Sequence, residues 1–218
     1  MRIVIAGGHG QIGLRLERLL SARGDEPAGI IRKAEQGDDL REAGAEPVLL
    51  DLESASVEEV AEHLSGADAA VFAAGAGPGS GAARKDTVDK GAAMLFADAA
   101  VRAGVRRFLV VSSMGADPAR KGDDVFDVYL RAKGEADAYI STLDALDWTI
   151  LRPGSLTDDT GTGQVRLEAH TGPGAVPRDD VATVLAELVD TPATAGLTLE
   201  LISGSTPVSV AVKSVAGN

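Results

Sequence analysis

The sequence predicts an α/β fold with a doubly wound parallel sheet. Two observations carry that expectation. Short apolar runs, each the length of a buried strand, alternate with segments of helical periodicity along the whole chain. The first of these runs, Ile3 to Ala6, passes straight into a glycine turn and then into a helical repeat at Ile12, Leu16, Leu19 and Leu20.

The elements follow in order. The second strand is expected at Ala28 to Arg32, with a polar helical piece around Asp38 to Ala43. The third covers Val48 to Leu50. Ser56 to Glu59 is a capping box that opens the next helix, and Gly66 follows its end. Strand four is Ala69 to Ala74, followed by a glycine-rich loop over 75–81 and an alanine-rich helix from Thr87 to Ala103 that Gly104 stops. Strand five, Phe108 to Val111, leads through a loop to a helix over Phe126 to Ile140. Strand six is Trp148 to Leu151, which Arg152-Pro153-Gly154 breaks. A short strand is expected at Val165 to Glu168, a helix at Asp179 to Val189 and a late strand at Leu197 to Ile202. Pro207 to Val215 reads as either strand or helix.

Gly7, Gly10 and Gly13 are spaced three apart between the first strand and helix. In that context Gly7 permits the turn, Gly10 leaves room for a pyrophosphate, and Gly13 lets helix and sheet pack closely. The first helical residues, Gln11, Ile12 and Gly13, offer free N–H groups to an anion. His9 could lay its ring over a phosphate.

Ligands of such sheets bind at the carboxyl ends of the strands. The second strand ends in Arg32-Lys33 with no acidic residue. Arg32 offers a planar fork to a ribose 2′-phosphate and Lys33 adds charge, which favours NADP(H) over NAD(H). Asp51, with Leu52 beside it, either accepts from an adenine amine or caps the following loop. Ala73, Ala74 and Gly75 are small enough for backbone to run beside the adenosine ribose and diphosphate.

Tyr129 and Lys133 lie four residues apart on one predicted helix, so phenol and ammonium share a face. An ammonium favours the phenolate and brings Tyr129 toward use as an acid–base catalyst; Lys133 could also hold ribose hydroxyls. A helix-surface pair has the same spacing. Ser112 and Ser113 close strand five, Ser112 as a cofactor contact or a structural strand end. His63 and His170 read as surface residues, and no metal motif is present.

The glycine spacing resembles the extended and atypical short-chain dehydrogenases/reductases. Leu146-Asp147-Trp148-Thr149-Ile150-Leu151-Arg152-Pro153-Gly154-Ser155-Leu156 and Pro177-Arg178-Asp179-Asp180-Val181-Ala182 resemble segments of their NAD(P)H-binding, NmrA-like group. The resemblance covers nearly the whole chain. It implies a Rossmann core over 1–218, with about 153–176 and 203–218 forming a small substrate-side lobe, and it implies Pro153 and Ser155 near the nicotinamide. It also implies a catalytic Ser or Thr after strand five. Met114 occupies that position, so Ser113 would have to substitute.

The chain has 218 residues, a formal charge of −12, 3% aromatic residues and no cysteine. That length suits one domain, the acidity disfavours nucleic acid, and the missing cysteines exclude thiolate chemistry. Neither a signal-peptide pattern nor a membrane-length apolar run is present, so a cytoplasmic protein is expected. The expected partner is a small molecule, and a homodimer is left open. The leading function is an NADP(H)-dependent reductase of a small carbonyl, quinone or flavin, with Tyr129 as proton donor. A non-catalytic NADP(H) sensor acting through a protein partner is second, and an epimerase or dehydratase third.

Overall fold

A computed structural model describes residues 1–77 and 79–217; positions 78 and 218, which fall in the expected glycine-rich loop and C-terminal lobe, lie outside the described residues. Among the described residues the main sheet has nine strands: β1 (Arg2–Ala6), β2 (Glu26–Ile31), β3 (Glu46–Leu49), β4 (Ala69–Phe72), β5 (Arg107–Val111), β6 (Asp147–Pro153), β8 (Gln164–Glu168), β10 (Leu197–Ser203) and β11 (Thr206–Pro207). They lie in the order β11-β8-β10-β6-β5-β4-β1-β2-β3. From β3 to β10 every neighbour is parallel; β8 is antiparallel to β10 and to β11. Strands β7 (Ser155–Thr157) and β9 (Ala175–Pro177) form a separate parallel pair. The order 3-2-1-4-5-6 is that of a Rossmann sheet, reversing direction between β1 and β4.

Period-two alternation explains why the sheet is covered on both faces. Ile3 and Ile5 of β1, Val71 of β4 and Leu109 of β5 point into one core, with α1 (Gln11–Ala22), α7 (Arg178–Val189) and α8 (Val208–Ala216). Val4, Ala6, Phe72 and Phe108 point into the other, against α3 (Val57–Leu64), α5 (Ala93–Ala103) and α6 (Val125–Ile140). Phe96 bridges Phe72 and Phe108 at centroid distances of 6.0 and 5.8 Å, geometry that aromatic pairs favour.

Helix ends follow the expected chemistry. Ser56 accepts from Glu59 N–H while Glu59 accepts from Ser56 N–H, a reciprocal cap on α3. Gly104 ends α5 in the left-handed region at φ +75°. At the sheet's amino edge, buried Arg107 donates to Asp147 O, Leu188 O and the hydroxyls of Thr149 and Thr194. Burial brings its pKa down to about 10.

The structure departs from expectation at the end of β6 and at the start of the alanine-rich helix, and it decides the C-terminal segment, which the sequence leaves open between strand and helix. Strand β6 runs on through Pro153 instead of breaking, because the parallel neighbour β10 pairs Leu201 with Pro153 and takes its next bond from Gly154 N–H. The alanine-rich helix begins earlier, as α4 (Ala82–Arg84), and passes through a π-helical stretch, Lys85–Ala92, before α5. The C-terminal segment is helical, since Val208, Ala211, Val212 and Val215 share one buried or half-buried face at helical spacing.

Candidate active site at the sheet switch point

A cleft of about 230 Å³ opens where the sheet reverses, at the carboxyl ends of β1, β2, β3 and β4. Gly7 and Gly10 form its floor with Ala73, Ala74 and Gly75. Gly7 sits at φ +85°, and a Cβ there would stand 2.7 Å from Ala74 Cα, so two strand tips touch through bare backbone. Gly10 donates to Gly7 O at 2.8 Å and closes the turn. A Cβ on Gly13 would strike the carbonyls of Gly7 and Gly8, so this glycine seats α1 on the loop. The opening N–H groups of α1 lack helical partners by position and carry the positive end of the helix dipole. These features fit a diphosphate: backbone donors, a positive dipole end and no side chain in the way.

Nine predicted cofactor residues line this cleft: Gly7, His9, Gly10, Arg32, Asp51, Leu52, Ala73, Ala74 and Gly75. The His9 ring is held between Asp39 (2.6 Å) and Gln36 (3.1 Å). Asp51 caps the loop after β3, its Oδ1 accepting from Glu53 N–H at 3.1 Å. The others lie around the cleft. Gln11 is exposed on α1, while Ile12 and Gly13 are buried beneath the loop. Lys33 is exposed and starts a 3-10 turn over Ala34–Gln36. Pro153 ends β6, and Ser155 begins β7, with its N–H on Gly174 O.

Sequence reasoning missed Glu53, Arg84 and Val88, which also line the cleft. Glu53 lies two residues beyond the inspected strand tip. Arg84 and Val88 come from the helical stretch roofing the cleft, where composition gives no signal.

None of the expected catalytic residues Tyr129, Lys133 and Ser113 lines this cleft. Tyr129 on α6 is half-buried and packs beside exposed Phe126, ring centroids 6.1 Å apart. The cation over its ring is Lys85, at 5.1 Å from the centroid. Lys133 is buried: Nζ donates to Val111 O at 3.0 Å, lies 3.4 Å from Asp89 Oδ1, and stands over the Phe72 ring. Asp89 also accepts from Ala76 N–H at 3.4 Å, so it joins α6 to the loop after β4. Ser112 is buried and donates to Asp137, which Arg152 also contacts at 2.9 Å. Burial pushes the Asp137 carboxyl upward, against the pull of Ser112 and Arg152. Ser113 is half-buried at the strand tip, its Oγ 3.3 Å from Met114 O. Among the described residues no cluster of His, Cys, Asp and Glu could hold a metal ion, and no helix is long and apolar enough to cross a membrane.

Residues 7–192 match the NAD(P)H-binding family. The chain belongs to that family. It is 36% identical to the Bacillus subtilis protein named "uncharacterized sugar epimerase YhfK", across 98% of this chain and 99% of that one. A solved Bacillus halodurans structure, whose name proposes an NAD-dependent epimerase/dehydratase, superposes with a TM-score of 0.90 at 37% identity, covering 98% and 99% of the two chains. The oxidoreductase YlbE of Lactococcus lactis superposes with a TM-score of 0.86 at 29% identity, covering 100% and 98%. The fold, the family match and these relatives together assign a nicotinamide cofactor and a domain of the atypical short-chain dehydrogenase/reductase type.

Proposed function

We propose that this protein is an NADP(H)-dependent reductase of a small carbonyl, quinone or flavin acceptor. The observation that carries the reading is the cleft itself. Bare glycine backbone stands where a diphosphate would lie, and Arg32, with no acidic residue at the tip of β2, stands on the adenosine side. The name of the Lactococcus lactis relative, an oxidoreductase, agrees with redox chemistry.

A bound nicotinamide supplies hydride. Tyr129 hands a proton to the acceptor oxygen, and Lys85 stands over its ring at 5.1 Å from the centroid. Lys133 holds α6 at the end of β5 through Val111 O and Asp89, which fixes where Tyr129 stands. Ser113 is the remaining hydroxyl that can orient a carbonyl.

Two observations favour the sensor reading. The Lys133 ammonium is committed to Asp89 and Val111 O, and Met114 follows Ser113 at the expected catalytic position. The epimerase reading suggested by two relatives' names has less room, since only β7, β8 and β9 lie between Pro153 and α7.

The test is NADPH oxidation against a panel of quinones, aldehydes and flavins. Tyr129→Phe should lower turnover by roughly 10²–10⁴ with NADPH affinity nearly unchanged. Turnover that survives this change refutes the proton-donor role, and no turnover with any acceptor favours the sensor.

A further inference from the structure

Glu53 occupies an unusual position for a carboxylate in a site that binds anions. It lies on the loop after β3, and its Oε2 accepts from two guanidiniums, Arg32 Nη1 at 3.2 Å and Arg84 Nη2 at 2.8 Å. Its Oε1 accepts from Thr87 Oγ1 at 2.8 Å. All three charged residues line the cleft, yet they come from three separate segments. Burial resists ionisation of Glu53, but the Thr87 hydrogen bond and the arginines outweigh it and hold the carboxyl below its usual range.

Two guanidinium forks converging on one oxygen atom make a site shaped for an oxyanion. Resting on the NADP(H) reading above, we propose that Arg84 is a second ligand of the ribose 2′-phosphate, and that Glu53 is an internal anion holding Arg32 and Arg84 in place until that phosphate displaces it. The competition is selective. A dianionic phosphate carries more charge and more acceptor oxygens than the carboxylate, so it can draw both arginines away. A neutral 2′-hydroxyl cannot, and with NADH the Arg–Glu–Arg contact stays closed. Cofactor choice then depends on the carboxylate as well as on Arg32.

The experiment titrates full-length protein with NADPH and NADH by nicotinamide fluorescence. Adenosine 2′-monophosphate and 5′-monophosphate serve as competing fragments. Glu53→Gln keeps the shape and removes the competing charge. It should tighten NADPH about tenfold and leave NADH within about twofold. Arg84→Gln should weaken NADPH about tenfold and spare NADH, and Arg84→Lys, which keeps charge but loses the fork, should fall between. The 2′-monophosphate should follow NADPH, and the 5′-monophosphate should follow NADH. Thermal melting of each variant without ligand checks that the fold is kept. If Glu53→Gln weakens NADPH, or Arg84→Gln weakens both dinucleotides equally, the inference is overturned while the cofactor reading stands. If neither dinucleotide binds the unaltered protein, both are overturned.

Discussion

Replacing Glu17 with Gln should remove most of the protein's loss of stability between about pH 4.5 and pH 8. Glu17 lies on α1 with no exposed surface, and neither carboxyl oxygen has a hydrogen-bond partner among the described residues. It faces two glycines. A Cβ on Gly8 would stand 2.7 Å from its Oε1, and a Cβ on Gly29 would collide with the same atom. Burial raises its pKa from 4.5 to about 8, with Arg18 pulling weakly the other way. The folded state therefore holds a proton that the unfolded chain releases. Below about pH 4.5 both states are protonated and stability is whole. It falls as pH rises through the window, and the loss is complete once the folded carboxyl ionises near pH 8.

One pH unit is worth about 1.4 kcal/mol, so the full window costs roughly 5 kcal/mol, about 3 of it by pH 7. That is a large share of the 5–15 kcal/mol that typically separates folded from unfolded domains. Urea unfolding at pH 5, 6, 7, 8 and 9 would measure it for both proteins. The unaltered chain should lose stability steeply up to pH 8, and Glu17→Gln should lose only what the remaining charges dictate. Parallel stability curves for the two, within about 1 kcal/mol, would refute the reasoning.

Two further outcomes follow from buried contacts near the cleft. Asp89→Asn leaves the Lys133 ammonium buried without its carboxylate, and should cost about 3–5 kcal/mol in chemical denaturation; a loss under 1 kcal/mol would mean the pair carries little. Gly13→Ala drives a methyl into the Gly7 and Gly8 carbonyls, and should cost about 1–3 kcal/mol while weakening NADPH and NADH alike, because the loop that meets the diphosphate must shift. Calorimetric titration showing unchanged affinity for both would remove the glycine loop from the binding site.

The sheet was legible in the sequence because strands buried on both faces leave unbroken apolar runs, and β1, β4 and β5 are such runs. The cleft was legible for a related reason. Rossmann topology places the residue after each strand at the ligand, so Gly7, Arg32, Asp51 and Ala73 could be found without knowing the packing. What that rule cannot see is a residue delivered from above the strand tips. Arg84 reaches Glu53 across 31 positions of sequence, on a helix whose alanines announce burial but not where its polar edge will lie. At the end of β6 the rule that proline breaks a strand fails, because a strand end needs no N–H from Pro153. The C-terminal segment is ambiguous in sequence because Val208, Val210 and Val212 alternate while Val208, Ala211, Val212 and Val215 repeat helically; burial of the second set decides for helix. Tyr129 and Lys133 show the same limit in the chemistry. Spacing of i and i+4 fixes their angle around α6, not their depth. Depth sends Lys133 inward to Asp89 and Val111 O, leaves Tyr129 half-buried, and brings Lys85 from the π-helical stretch to serve as the cation at its ring.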